Sequence, residues 1–407
     1  MMETLFQNHV NELKERGIID AENVKVAEAV DKAAEELYVD EIEAYLKHEV
    51  NVTQQFKVLK KYGLLGAHVP KKYSGMGCDA VSLALIFERL GQVGMGVVTG
   101  FDVQTCLTEA ILNRWANEEQ KKKYLVPEAK GDKFMSFCLT EPSEGSDPGS
   151  LQTKFEEVDG GFKVSGEKYL ITNGSIANAF IVFCRNSQKG ISAIIVDRDE
   201  KHVTKEAEIS EKLGLFTSDT TLLKFDEAFA PKENLLANFG DGLKLAYTGL
   251  LTGRLGIAAG CVGVIEDCLN ASVSRSKERI QFGKEIGKHQ LVQHRLSVIE
   301  QQLEIASHSV ERAAYWKKRY DDDTQNLDLR KSADHNVTLA KVIATNAAGE
   351  AADNAIQLFG GSGYSILTPV GRHYIDIRAS RIYEGSNDVL ELKLASDLLG
   401  KGFEAYK

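Results

Sequence analysis

The stretch RIYEGSNDVL, residues 381–390, contains a carboxylate with no evident structural duty. Ser386, Asn387 and Asp388 have the short polar side chains that begin a helix, ahead of apolar Val389, Leu390, Leu392 and Leu394. Glu384 lies before that cap, between Tyr383 and Gly385, too early to be the reciprocal acid of a capping box. Three other stretches have the composition of a phosphate or nucleotide cradle. In TEPSEGSD, residues 140–147, Gly145 and Ser146 can offer backbone N–H groups and a hydroxyl to a phosphate, or form a plain polar connection. In ERIQFGKEIGKHQ, Arg279 near Phe282 can grip a phosphate and stack on a base, or sit at an exposed helix end. In QLFGGSGY, residues 357–364, paired glycines allow close backbone approach to a ligand and also suit a helix C-cap.

Other chemistries are absent from the pattern. No nucleophile elbow or Walker loop occurs, and the nine histidines never fall into H-E-x-x-H or a cysteine–histidine metal spacing, so no metal is expected. Gly75-Met-Gly77-Cys-Asp-Ala80 matches G-x-G-x-x-A, but no strand precedes it, and a structural turn is the expectation. The net charge of −10 disfavours nucleic acid and anionic membrane as partners. The apolar stretch Gly256–Ile265 is too short to cross a bilayer, and the N-terminal residues lack the apolar core of a signal peptide. Six scattered cysteines read as small apolar fillers in a reducing cytoplasm, with Cys261 and Cys268 sharing one buried helix face.

Three textures must position these residues. Residues 1–132 read as helices, with apolar positions at three and four spacing. Residues 133–237 break into short β-branched and aromatic runs, including FKVSGEKYLITNG, NAFIVFCR and ISAIIVDRD, as in a barrel or sandwich. Asp159-Gly160-Gly161 is a hairpin signal there. Residues 238–407 return to helical period. Long helices are expected over 242–277 and from Val337 to about Leu358, and Val292, Leu296, Ile299, Leu303, Ala306, Val310 and Ala313 form the seam of another.

In this order and spacing the motifs HVPKKYSGMG, FCLTEPSEGSD, GEKYLITNG, EKLGLFTSDTTLLKFDEAFAPKENLL, GRLGIAAGCVG, ERIQFGKEIGKHQ, QLFGGSGY and RIYEGSNDVL resemble the acyl-CoA dehydrogenase family over nearly the whole chain. The resemblance implies an α-helical domain, a small β-barrel and a four-helix bundle, with FAD between barrel and bundle. Glu384 matches the family's base, which removes the α-proton of an acyl-CoA thioester while the β-hydrogen leaves as hydride to the flavin. The product is a 2-enoyl-CoA, and electrons pass to an electron-transfer flavoprotein. Some members carry the base on the residue before the arginine matched by Arg254; that residue here is Gly253, which has no side chain.

The same carry-over puts Phe137, Leu139, Thr140, Leu170 and Thr172 at the flavin ring and Gly145 and Ser146 at the pyrophosphate, with Ser146 also near the substrate. Leu170 stands where many members have a tryptophan, which leaves more room beside the flavin. Arg279, Gln281, Phe282 and Gln290 are expected from a neighbouring subunit, which implies a homo-oligomer, most often a tetramer. Gln357, Gly360 and Gly361, with Ser386 and Asp388, complete the pocket, while Arg254 and Gly385 support the base and substrate. Asp388 also fits the helix N-terminus as an acid complementing the dipole. Asp102, in the pocket-lining run FDVQTCL, is a candidate pocket acid, although the surface is the favoured expectation for it. A flavin oxidase on the same fold and a non-catalytic assembly partner are the competing readings.

Overall fold

The computed structural model describes residues 5–199 and 201–403. The N-terminal helices are α1 (Leu5–Glu15), α2 (Ala21–Lys47), α3 (Val52–Lys61), α4 (Ala80–Val93), α5 (Met95–Asp102), α6 (Glu109–Trp115), α7 (Glu118–Gln120) and α8 (Val126–Ala129). Between α5 and α6 the helix does not stop; it widens into a π turn over Val103–Thr108, which the sequence did not announce. The Gly75–Ala80 stretch is a structural turn, as expected. Its Met76 and Cys78 amides donate to Gly66 and Ala67 carbonyls, and Asp79 caps α4 by accepting from the Ser82 amide at 2.8 Å.

The middle segment folds as β1 (Met135–Cys138), β2 (Lys154–Val158), β3 (Gly161–Thr172), β4 (Ala179–Asn186), β5 (Gly190–Asp197), β6 (Val203–Glu208), β7 (Thr220–Pro231) and β8 (Leu235–Leu236). These make one mixed sheet in the order β6-β7-β3-β2-β4-β5-β8, with β1 parallel to β4. The β2–β3 hairpin turns at Asp159-Gly160, where Gly160 takes φ 77°. Strand β4 explains its unbroken apolar run AFIVFC. Phe180, Val182 and Cys184 face a core with Phe155, Phe162 and Phe225, while Ala179, Ile181 and Phe183 face a second core with Ile111, Leu112 and Tyr124. A strand buried on both faces has no polar side to alternate with.

The C-terminal segment comprises α9 (Gly242–Glu278), a two-stranded ribbon of β9 (Ile280–Gln281) and β10 (Lys284–Glu285), α10 (Gln290–Asp322), α11 (Leu327–Phe359), α12 (Pro369–Ser380) and α13 (Asn387–Leu399). Helix α11 starts ten residues before the expected Val337, because Asn326 caps it by accepting from the Asp328 and Leu329 amides. On α10 the seam residues Ile299, Ala306, Val310 and Ala313 are buried, with Leu296 and Leu303 packed beside them. Helix α9 is long and apolar enough to span a bilayer by length and composition, yet 89% of its most apolar window is buried by α4, α10 and α11. An all-round apolar helix so enclosed is the axis of a core.

All three segments meet at Asp376 on α12. Its buried Oδ1 accepts from the Tyr45 hydroxyl of α2 at 2.6 Å and from the Leu215 amide of the middle segment at 2.6 Å. This knot lies eight residues before Glu384 and fixes where the following loop begins.

Candidate active site

The loop between α12 and α13 is held in an unfavourable conformation by two cations. Glu384 has φ 58° and Gly385 φ 90°; the left-handed region costs a non-glycine residue about 1–3 kcal/mol unless its surroundings enforce it. The enforcement is visible. Arg254 Nε donates to the Glu384 carbonyl at 2.9 Å, and Lys341 Nζ donates to the Gly385 carbonyl at 2.8 Å and to Asn387 Oδ1 at 2.9 Å. Asn387 passes the contact on through Nδ2 to Thr345 Oγ1 at 2.9 Å. Arg254 also forms a 3.7 Å ion pair with Asp334. Ser386 is the N-cap of α13, and Asp388 stands exposed in its first turn.

Arg254 bonds the Glu384 carbonyl and Lys341 bonds the Gly385 carbonyl and Asn387 Oδ1, which leaves the Glu384 carboxylate with charge nearby but, among the described residues, no donor on Oε2. Burial pushes the Glu384 carboxyl up, against the pull of Arg254 and Lys341, to about 7. Burial likewise lowers Lys341 to about 8, with Glu384 opposing. A carboxylate of that basicity can accept a proton from a weak carbon acid at neutral pH.

Asp102 corrects the surface expectation. It is 2% exposed, at the end of α5 where the π turn begins, and its carboxyl lies within hydrogen-bonding reach of Glu384. Two glycines of α9 make the room. A Cβ on Gly253 would stand 2.6 Å from Glu384 Oε2 and 3.2 Å from Asp102 Oδ2, and one on Gly256 would stand 2.9 Å from Asp102 Oδ1. Lys341 was missed altogether in the sequence, although its position on the buried stripe Val337, Ala340, Ala344 and Ala348 of α11 was a signal.

A second set of candidates forms a shelf on the sheet. The Tyr169 amide donates to the Thr140 carbonyl at 2.9 Å, joining the chain after β1 to a bulge in β3. In that bulge Leu170 takes φ 58° and turns outward, 49% exposed, while Phe137, Thr140 and Thr172 are half-buried and Leu139 is buried. Next to Thr172, Asn173 Nδ2 donates to the Gly100 carbonyl of α5 at 2.9 Å, two residues from Asp102. The shelf therefore abuts the helix end that carries Glu384's neighbour. Gly145 and Ser146 are exposed, with no atom within 4 Å of a Cβ placed on Gly145.

Lys168, wholly buried, underpins the shelf: its Nζ donates to Glu141 Oε1 at 2.8 Å and to the Leu139 carbonyl at 3.0 Å. Glu141 in turn accepts from the Gln152 and Thr153 amides. Lys168→Met leaves that carboxylate without its cation and should cost about 3–5 kcal/mol of stability. Denaturant melts of both proteins check this; the double variant with Glu141→Gln should recover part of the loss.

The remaining candidates gather elsewhere. Gln281, Arg279, Phe282 and Gln290 surround the β9–β10 ribbon at the C-terminal end of α9, with Phe282 93% exposed. Gly360 and Gly361 lie at the same end, where Arg275 Nη2 donates to Ser362 Oγ at 3.2 Å, rather than beside Ser386 and Asp388. Arg254 and Arg275 are 21 residues apart on α9, roughly 31 Å at the helical rise. One chain does not bring the two sets together.

Comparison with known proteins agrees with this architecture. Residues 20–132, 136–228 and 240–399 match the acyl-CoA dehydrogenase N-terminal, middle and C-terminal domains. An acyl-CoA dehydrogenase of Bacillus subtilis is 37% identical over 85% of this chain and 90% of its own. The solved butyryl-CoA dehydrogenase of Megasphaera elsdenii superposes with a TM-score of 0.87 at 32% identity, covering 94% of this chain and 99% of its own. A chain from a structure described as the electron transferring flavoprotein of Acidaminococcus fermentans gives a TM-score of 0.88 at 32% identity, covering 94% and 98%. The chain belongs to the acyl-CoA dehydrogenase family, a class of flavoprotein oxidoreductases whose members bind FAD.

Proposed function

We propose that this protein dehydrogenates a short-chain acyl-CoA to the 2-enoyl-CoA with Glu384 as the base, and that its electrons leave through an electron-transfer flavoprotein. The observation that carries the reading is Glu384 itself: a carboxyl raised to about 7, whose buried Oε2 has no donor among the described residues, on a loop clamped by Arg254 and Lys341. The short acyl chain and the electron acceptor are inferred from the butyryl-CoA dehydrogenase and electron transferring flavoprotein relatives.

The residues present fit FAD. A partly apolar shelf of Phe137, Leu170 and Thr172 suits one face of a planar ring, and the open backbone at Gly145 and Ser146 suits a pyrophosphate. When bound, FAD supplies the acceptor for the β-hydride. The protein does the rest. Glu384 is held in place before substrate arrives, so its carboxylate meets the α-carbon without a search for orientation. Burial removes the water that would blunt its basicity, and the proton comes to rest on a Glu384 oxygen. The Glu384 backbone N–H, carried on the same clamped turn, would donate to the thioester oxygen as charge builds there.

The separation along α9 favours a homo-oligomer. Arg279, Gln281, Phe282, Gln290, Gln357, Gly360 and Gly361 serve the cofactor of a neighbouring copy, and exposed Ile280, Phe282 and Leu291 are the apolar surface such a contact would cover. An intact base argues against a non-catalytic assembly partner.

An anaerobic titration of the purified holoenzyme with straight-chain acyl-CoAs tests the reading. Visible flavin absorbance should bleach fastest with chains of about four carbons, and turnover in air without an added electron acceptor should consume little oxygen. No bleaching with any acyl-CoA would overturn the proposal, and rapid oxygen consumption would favour the oxidase.

A further inference from the structure

Glu384 shares its pocket with a second carboxyl that proton abstraction by itself does not require. Asp102 reaches it from the junction of α5 and the π turn, and both carboxyls fit against α9 only because residues 253 and 256 lack side chains. The groups facing the pair are few. Arg254 comes from α9, Lys341 from α11, Cys106 from the π turn and Tyr383 from the loop of Glu384 itself. Both cations donate to carbonyls, and among the described residues no hydrogen bond satisfies Asp102 Oδ1 or Glu384 Oε2. Two ionised carboxylates at this range, out of water, would repel each other strongly.

We propose that Asp102 is the protonated partner of Glu384: its carboxyl O–H donates to the Glu384 carboxylate, so that the resting pocket holds two carboxyl groups, one proton and one negative charge. This rests on Glu384 being the base. The asymmetry decides which group keeps the proton. Glu384 feels Arg254 and Lys341, whereas Asp102 is surrounded by Phe87, Cys106 and the glycine face of α9, and burial with Glu384 beside it raises it well above the ordinary carboxylate range.

Asp102 is thus a positioning residue. It orients the base before substrate binds and tempers its basicity by bonding to the charged form. During abstraction the substrate C–H bond breaks, its proton goes to a Glu384 oxygen and its electron pair stays with the substrate carbon. Asp102 keeps its own proton throughout, and the pair ends uncharged.

The test follows flavin bleaching by butyryl-CoA against pH in wild-type holoenzyme, Asp102→Asn, Asp102→Val and Glu384→Gln. Asparagine retains an N–H donor and should leave the acidic limb of the profile in place. Valine removes the donor, and the limb should move up by on the order of one pH unit, making the reaction about tenfold slower on that limb. A limb unmoved in Asp102→Val, or moved down in both variants, would overturn the proposal, the second because it marks an ionised Asp102. An infrared difference spectrum of wild type minus Asp102→Asn at pH 7 gives an answer that does not depend on activity: a protonated carboxyl band belonging to Asp102 supports the pair, and its absence refutes it. The parallel Glu384→Gln profile separates the two ideas. Near-normal bleaching there removes the base itself, whereas a silent Glu384→Gln beside an unmoved Asp102→Val removes only the pair.

Discussion

Glu384→Gln should fold, retain FAD and bind acyl-CoA, yet bleach its flavin at least about 10²- to 10⁴-fold more slowly than wild type at saturating substrate. The amide keeps the size of the carboxylate and cannot accept the proton. Exchange of the substrate α-hydrogen with deuterated water should fall in parallel, since both events need one proton transfer. Wild type should also lose rate as pH drops through about 7, where the carboxyl takes up its proton. Stability moves the other way. The folded pKa lies above the ordinary glutamate value of 4.5, so between 4.5 and about 7 the unfolded chain releases a proton that the folded protein keeps. Wild-type stability therefore declines with rising pH across that window, and Glu384→Gln should melt no lower than wild type at pH 8. A variant that loses FAD or melts early would show that the residue is structural. One that bleaches at wild-type speed would place the base elsewhere, with Asp102 the next carboxyl in reach.

How much of this was legible in the sequence depends on the range of the interaction. The three textures were readable because each element's own periodicity reports its burial: the α10 seam, the Asp159-Gly160 turn and the apolar run of β4 all carry local signals. The cap at Ser386 was readable for the same reason. Asp102 was not. Its burial arises from the meeting of α5, the π turn and α9, residues some 150 positions apart, and the surface prior for an aspartate prevailed. The only local hint was a lone acid in the apolar run MGVVTGFDVQTCL. Lys341 went unread likewise, because its partners are the carbonyl of Gly385 and the side chain of Asn387, more than forty residues on. A pattern of side chains does not announce which backbone carbonyls will need a cation.

Gly253→Ala should lower turnover by about a hundredfold while changing stability little, and it is the sharpest test of how tightly the pocket is filled. A central helix glycine exchanged for alanine gains up to about 1 kcal/mol in propensity, which offsets part of the roughly 1–3 kcal/mol that overpacking costs. The new methyl would stand 2.6 Å from Glu384 Oε2, 2.9 Å from its Cδ and 3.2 Å from Asp102 Oδ2, closer than atoms can settle. Something has to move, and the backbone of Glu384 resists because Arg254 and Lys341 hold the Glu384 and Gly385 carbonyls. The carboxylate end must swing away, and a displacement of about 1 Å at a reacting group is enough for a 10²-fold loss. Circular dichroism melts should show the two proteins alike, which assigns the defect to placement. Glu384→Asp in the Gly253→Ala background draws the carboxylate back by one methylene. The double variant should therefore be faster than the product of the two single effects allows, because the second change relieves the clash made by the first. Strictly multiplicative effects would mean that residue 253 and the Glu384 carboxylate do not touch in the working enzyme.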